Sequence, residues 1–89
     1  MILESANNKI LQEDIEQIVS GLALDELKDC KVFITGSTGL IGSQIVKTLA
    51  CANRLKKLNI TILALVRSEE KAKKVFGELL NRGDVRLVL

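Results

Sequence analysis

Three glycines at three-residue spacing, Gly36, Gly39 and Gly42, stand in the run TGSTGLIG, residues 35–42. Glycine lacks the Cβ that would hold a ligand away from the backbone, and it enters tight turns without steric cost. Where such a run opens a helix, the first helical amides have no internal acceptor. They point, with the positive end of the helix dipole, at whatever lies before them. These properties suit an anion such as a pyrophosphate. Gly36 is expected to let the chain turn sharply, Gly39 to let backbone approach the phosphates, and Gly42 to let the helix pack closely on the preceding strand. The hydroxyls of Thr35, Ser37 and Thr38 are candidate further donors. A nucleoside-triphosphate P-loop is excluded, because no Gly-Lys-Ser/Thr follows.

Arg67 is the second candidate, since a guanidinium matches a phosphate bidentately. Its alternative is a solvated arginine at a strand end. Glu69 and Glu70 are placed better as first-turn residues of a helix, where the dipole favours acid, than as ribose ligands. Lys71, Lys73 and Lys74 read as the solvated face of the same helix, close enough to Glu69 and Glu70 for ion pairs. The two cysteines, Cys30 and Cys51, lie in apolar surroundings without metal-ligand spacing, and read as core or near-core residues in a reducing compartment.

Regular elements must position these groups. Residues 8–22 show a helical stripe of Leu11, Ile15, Ile18 and Leu22 between polar residues. Lys31 to Thr35 reads as a short buried strand directly before the first glycine. A helix is expected from Leu40 to Arg54, with Ile41, Ile45, Leu49 and Ala52 on its apolar face. The uninterrupted ITILALV run, residues 60–66, predicts a strand covered on both faces, as in a parallel sheet. Ser68 caps a third helix reaching Asn81, with Ala72, Val75, Phe76, Leu79 and Leu80 inward. Val85 to Leu89 begins a third strand. Strands alternating with helices imply parallel crossovers. The expected fold is therefore α/β: the N-terminal part of a doubly wound parallel sheet, β-α-β-α-β, of strand order 3-2-1, preceded by an amphipathic helix. Residues 1–30 read as a helical extension, and 31–89 as a partial dinucleotide-binding domain.

Composition narrows the function. The 89 residues carry a net charge of +2 with both signs interleaved, and two aromatic residues, both Phe. Nothing there favours nucleic acid or an anionic membrane. The longest apolar run is too short to span a bilayer. The MILESANNK start does not resemble a signal peptide, so a cytoplasmic protein is expected.

In residues 31–89, and most of all in TGSTGLIG, the chain resembles the extended short-chain dehydrogenase/reductase superfamily, whose signature is TGxxGxxG. Within it the likeness is to NAD-dependent epimerase/dehydratase proteins that act on nucleotide sugars. The resemblance implies a Rossmann-type fold and NAD or NADP as cofactor. It implies Gly36, Ser37, Thr38, Gly39, Leu40, Ile41, Gly42 and Arg67 as cofactor-binding residues, and a nucleotide sugar as substrate of the longer parent. Two departures stand out. The family's catalytic Tyr-x-x-x-Lys has no counterpart, because the chain contains no tyrosine, so no catalytic residue and no metal ligand is assigned. The acidic residue that accepts the ribose 2′-hydroxyl is replaced by Val66-Arg67. The chain is accordingly expected to be a fragment of a longer enzyme, binding cofactor without catalysis and associating into a homo-oligomer. A stand-alone nucleotide-binding or interaction module, and an NADP-linked reductase of the same superfamily, are the alternatives.

Overall fold

The computed structural model describes residues 3–5, 8–21 and 23–89. It is α/β, with a three-stranded parallel sheet and helices. Helix α1 spans Lys9–Gly21, followed by a 3-10 turn at Asp25–Leu27. Strand β1 (Lys31–Ile34), helix α2 (Leu40–Lys56), strand β2 (Thr61–Leu65), helix α3 (Glu69–Phe76), a 3-10 segment (Gly77–Asn81) and strand β3 (Val85–Val88) follow in order. The sheet order is β1-β2-β3, as the 3-2-1 order requires, with β1 and β3 at its edges. Val32 registers with Ile62 and Ile62 with Val85; Phe33 registers with Leu63 and Leu63 with Arg86.

Residues in register share a face, and neighbours along a strand alternate between faces. One face carries Ile34, Ile62, Ala64 and Val85, all buried with the helices in the core. The other carries Phe33, Leu63 and Leu65. Phe33 is 55% exposed, and Leu63 and Leu65 are half-buried. The unbroken apolar run of β2 predicted cover on both faces, whereas the helices cover one.

The helices begin where their caps allow. Asn8 Oδ1 accepts from the Leu11 N–H at 3.1 Å before α1, and Ser68 Oγ accepts from the Lys71 N–H at 3.2 Å before α3. The third helix ends at Phe76, where Gly77 at φ +56° breaks it, and a separate 3-10 segment, Gly77–Asn81, completes the expected span. On α2 the core takes Val46, Leu49, Ala50, Cys51 and Ala52, while Ile41 (73% exposed) and Ile45 (44% exposed) face outward. The expected face is thus rotated toward Val46. On α1 the buried residues are Gln12, Ile15 and Val19, and Ile18 is turned out. Leu22, the last residue of the expected stripe, lies outside the described residues. Ile15 and Val19 join the same core as the sheet.

Polar side chains fasten the lower end of this layer. Asn53 at the end of α2 accepts from the Ile60 N–H at 2.7 Å and donates to Ile60 O at 2.8 Å and to Asp84 Oδ2 at 2.9 Å, which ties α2 to the entries of β2 and β3. The buried Glu4 carboxylate accepts from Gln12 Nε2 at 3.0 Å, from Arg54 Nη2 at 3.2 Å and from Arg82 Nη1. Arg82 also donates to Ala50 O and Asp84 Oδ2, each at 2.9 Å. No helix among the described residues is long and apolar enough to cross a membrane.

Candidate functional site

The glycine run connects the end of β1 to the start of α2. Gly36 has φ +62°, a left-handed conformation that glycine adopts freely, and it turns the chain off the strand. Its carbonyl accepts from the Gly39 N–H at 3.0 Å. Gly42 is constrained from the other side: a Cβ there would stand 2.1 Å from Gly36 O and 2.8 Å from Gly36 C. The close approach expected of Gly42 is therefore made to the loop's own backbone at Gly36, rather than to the strand. Gly39 is exposed, and a Cβ there would meet only Gly36 O, at 3.2 Å.

Gly39 is the residue before α2, and its carbonyl accepts from the Ser43 N–H at 2.9 Å. The amides of Leu40, Ile41 and Gly42 come before that first helical bond, so the helix offers them no acceptor. They provide backbone donors at the positive end of a 17-residue helix.

Beside this loop lies a cleft of about 340 Å³ at the C-terminal ends of β1 and β2, lined by Thr35, Gly36, Thr38, Leu65, Val66, Arg67, Ser68 and Lys71. Ligands of open parallel sheets bind outside the C-terminal strand ends. Thr35, Gly36, Thr38 and Arg67 lie together here. Arg67 and Lys71 are exposed and make no ion pair with any described residue. No carboxylate lines the cleft; Glu69, in the first turn of α3, pairs instead with Lys73 at 3.5 Å.

Five of the expected site residues, Ser37, Gly39, Leu40, Ile41 and Gly42, do not line this cleft. Ser37 is wholly buried; its Oγ donates to Ile34 O at 2.6 Å and its N–H reaches Leu65 O at 3.4 Å. Both its donors are committed inside the protein, so its hydroxyl braces the loop and does not face a ligand. The Ile41 side chain lines a different groove, with Leu24, Gln44, Ile45, Thr48 and Leu49. Leu40 is 80% exposed and lines neither cavity, and Gly39 and Gly42 are likewise not among the residues lining the cleft. Lys71 was grouped in the sequence with Lys73 and Lys74 as a solvated face. Its place in the first turn of a helix capped by Ser68, nearest of the three lysines to Arg67, is the signal that separates it from them.

Both cysteines are free. Cys51 is wholly buried on α2, and burial, reinforced by the neighbouring Glu4 charge, pushes its thiol up to about 12. Among the described residues no group of acidic or cysteine side chains has the arrangement of a metal site. Comparison of the chain with protein-family models, with curated proteins and with solved structures gave no match.

Proposed function

We propose that this chain binds the phosphates and adenosine side of a nicotinamide dinucleotide, and that the ligand is NADP rather than NAD. The observation that carries this reading is the cleft between the glycine loop and β2. It brings Gly36 and Thr38 of the loop together with Arg67 and Lys71, which make no ion pair among the described residues, and no carboxylate lines it; the loop leads into the amides of Leu40 to Gly42, which have no acceptor within the helix. The amides would hold the pyrophosphate. Arg67 and Lys71 would hold a 2′-phosphate on the ribose, where an NAD-specific site instead carries an acid. In this reading the sheet is the first half of a doubly wound Rossmann-type domain.

The resemblance of TGSTGLIG to the extended short-chain dehydrogenase/reductases extends the proposal to a nucleotide-sugar epimerase or dehydratase, with the chain as its cofactor-binding segment in the cytoplasm. The cofactor, when bound, supplies a hydride acceptor and donor. The residues present bind and orient it. None is placed to move a proton as the family's tyrosine does. That absence favours, as a second reading, a nucleotide-binding module without chemistry.

Titration of the 89-residue chain with NADP and with NAD, read by calorimetry, tests the proposal. NADP is expected to bind more tightly. Arg67→Asp should weaken NADP by about 10- to 100-fold, the equivalent of about 1.5–3 kcal/mol for a charge-assisted contact, and leave NAD unchanged. Equal loss for both dinucleotides would remove Arg67 from a 2′-phosphate site, and no binding of either would overturn the reading.

A further inference from the structure

Of residues 35–42, Ser37 alone is buried, and it lies where two strands end. The Thr61 N–H donates to Cys30 O at 2.9 Å, and in a parallel ladder every second residue of a strand faces the same neighbour. The carbonyl of Leu65, the last residue of β2, therefore faces β1. A continuing β1 would meet it with the N–H of residue 36, but Gly36 turns away at φ +62°. The Ser37 N–H takes that place, reaching Leu65 O at 3.4 Å. The Ser37 hydroxyl turns back on the other strand and donates to Ile34 O at 2.6 Å. On its far side the first turn of α2 is seated against it: a Cβ on Gly42 would stand 3.1 Å from Ser37 Cα. Ser37 thus joins the ends of β1 and β2 to the start of α2. Arg67 stands two residues beyond Leu65, and Val66 between them is held to β3 by its N–H on Val88 O at 2.8 Å.

We infer that Ser37 is a positioning residue that sets the choice between dinucleotides, by holding the glycine loop at a fixed spacing from Arg67. The inference rests on the nucleotide reading above. A ligand with a 2′-phosphate must meet the loop amides with its pyrophosphate and Arg67 with its second anion at once. Both contacts reach full strength only if the two halves of the site are held in register. NAD meets the loop without the second contact. A loop that shifts as a body keeps its own shape, because Gly39 N–H still donates to Gly36 O at 3.0 Å and α2 still begins after Gly39. Loss of the anchor therefore penalises the 2′-phosphorylated ligand selectively. The hydroxyl is the stronger half of the anchor. Its bond is short and buried, whereas the amide bond at 3.4 Å is long and holds the loop weakly by itself. The same ladder alternation gives Ile34 O the Leu65 N–H as a second donor, so deleting the hydroxyl orphans no carbonyl and the fold should persist.

A double-mutant cycle on the 89-residue chain, read by calorimetric titration with NADP and with NAD, is the test. Ser37→Ala should weaken NADP about tenfold and leave NAD within about twofold, with cooperative urea unfolding retained. Added to Arg67→Asp, the same substitution should change NADP binding little further, because the contact it positions is already gone. A serine with a merely structural role would weaken both dinucleotides alike, and by the same factor with or without Arg67. That result overturns the inference, as does an unchanged NADP affinity in Ser37→Ala. Should Ser37→Ala fail to fold, Ser37→Cys, which fills the same space with a weak donor, is read by the same criteria. A wild-type chain that binds neither dinucleotide overturns the nucleotide reading and this inference with it. A wild-type chain that prefers NADP, beside a Ser37→Ala chain that prefers it as strongly, overturns this inference alone.

Discussion

At the scale of single residues, the glycines of one loop do different work, and substitution separates them. Gly42 is held by contact: any Cβ collides with the Gly36 carbonyl, a backbone group that cannot swing aside. Gly42→Ala should therefore lower the unfolding free energy by about 1–3 kcal/mol, the usual range for overpacking, as read by urea denaturation. Gly39 has ordinary extended backbone angles, and a Cβ there would stand 3.2 Å from Gly36 O, a milder contact than at Gly42. Gly39→Val should cost less stability than Gly42→Ala and weaken the dinucleotide at least tenfold, about 1.4 kcal/mol. The reverse pattern would exchange the two roles. The spacing of the glycines made the loop visible in the sequence. It did not reveal that Ser37, flanked by them, spends its hydroxyl on Ile34 O, because that bond depends on where β1 ends.

Among the elements, α1 is fastened by charge as much as by apolar contact. Burial by itself would raise the Glu4 carboxyl, but Arg54, Gln12 and Arg82 outweigh it and hold the group below the ordinary carboxylate value of 4.5. A depressed carboxyl contributes stability fully above its unfolded value, and that contribution is lost as pH falls through the folded one. Glu4→Gln should cost about 3 kcal/mol at pH 7, because two arginines lose a buried partner. The difference from wild type should shrink in acid below pH 4.5, as the native carboxyl itself becomes protonated. A cost independent of pH would mean that packing, not charge, is lost. The same network explains why helix periodicity misjudged α1. Leu11, Ile15 and Ile18 make a regular stripe, yet Gln12 is drawn inward by Glu4 and Ser5, and the helix rolls to bury Val19 instead of Ile18. Partners that distant in the chain leave no local trace. Ser68 as a cap and the acidic first turn of α3 were legible, because both are local.

For the whole molecule, the alternation of strands and helices carried the sheet order, while the coverage of the sheet was not legible. An apolar run such as ITILALV shows which residues tolerate burial, not how many layers are present to bury them. All the helices lie on one side, and Phe33 with its neighbours stays in view of solvent. On the proposed reading, the chain, which holds no tyrosine, is expected to bind the dinucleotide without turning over a substrate. The purified 89-residue chain is expected to show no nucleotide-sugar-dependent change in nicotinamide absorbance, and any change above a heat-treated control would contradict this.

Cys51 gives this architecture a clock. Its thiol sits in the core with Ile15 and Val19, and only a thiolate attacks an alkylating reagent. Modification must therefore wait for the helical layer to part. The lag of Cys51 behind the half-buried Cys30 then measures how often that layer opens. In timed iodoacetamide labelling followed by mass spectrometry, Cys30 should react first and Cys51 far more slowly, and Glu4→Gln should shorten the lag. Equal rates at the two positions would mean that the layer parts faster than the reagent arrives, and that α1 rests on the sheet without sealing it.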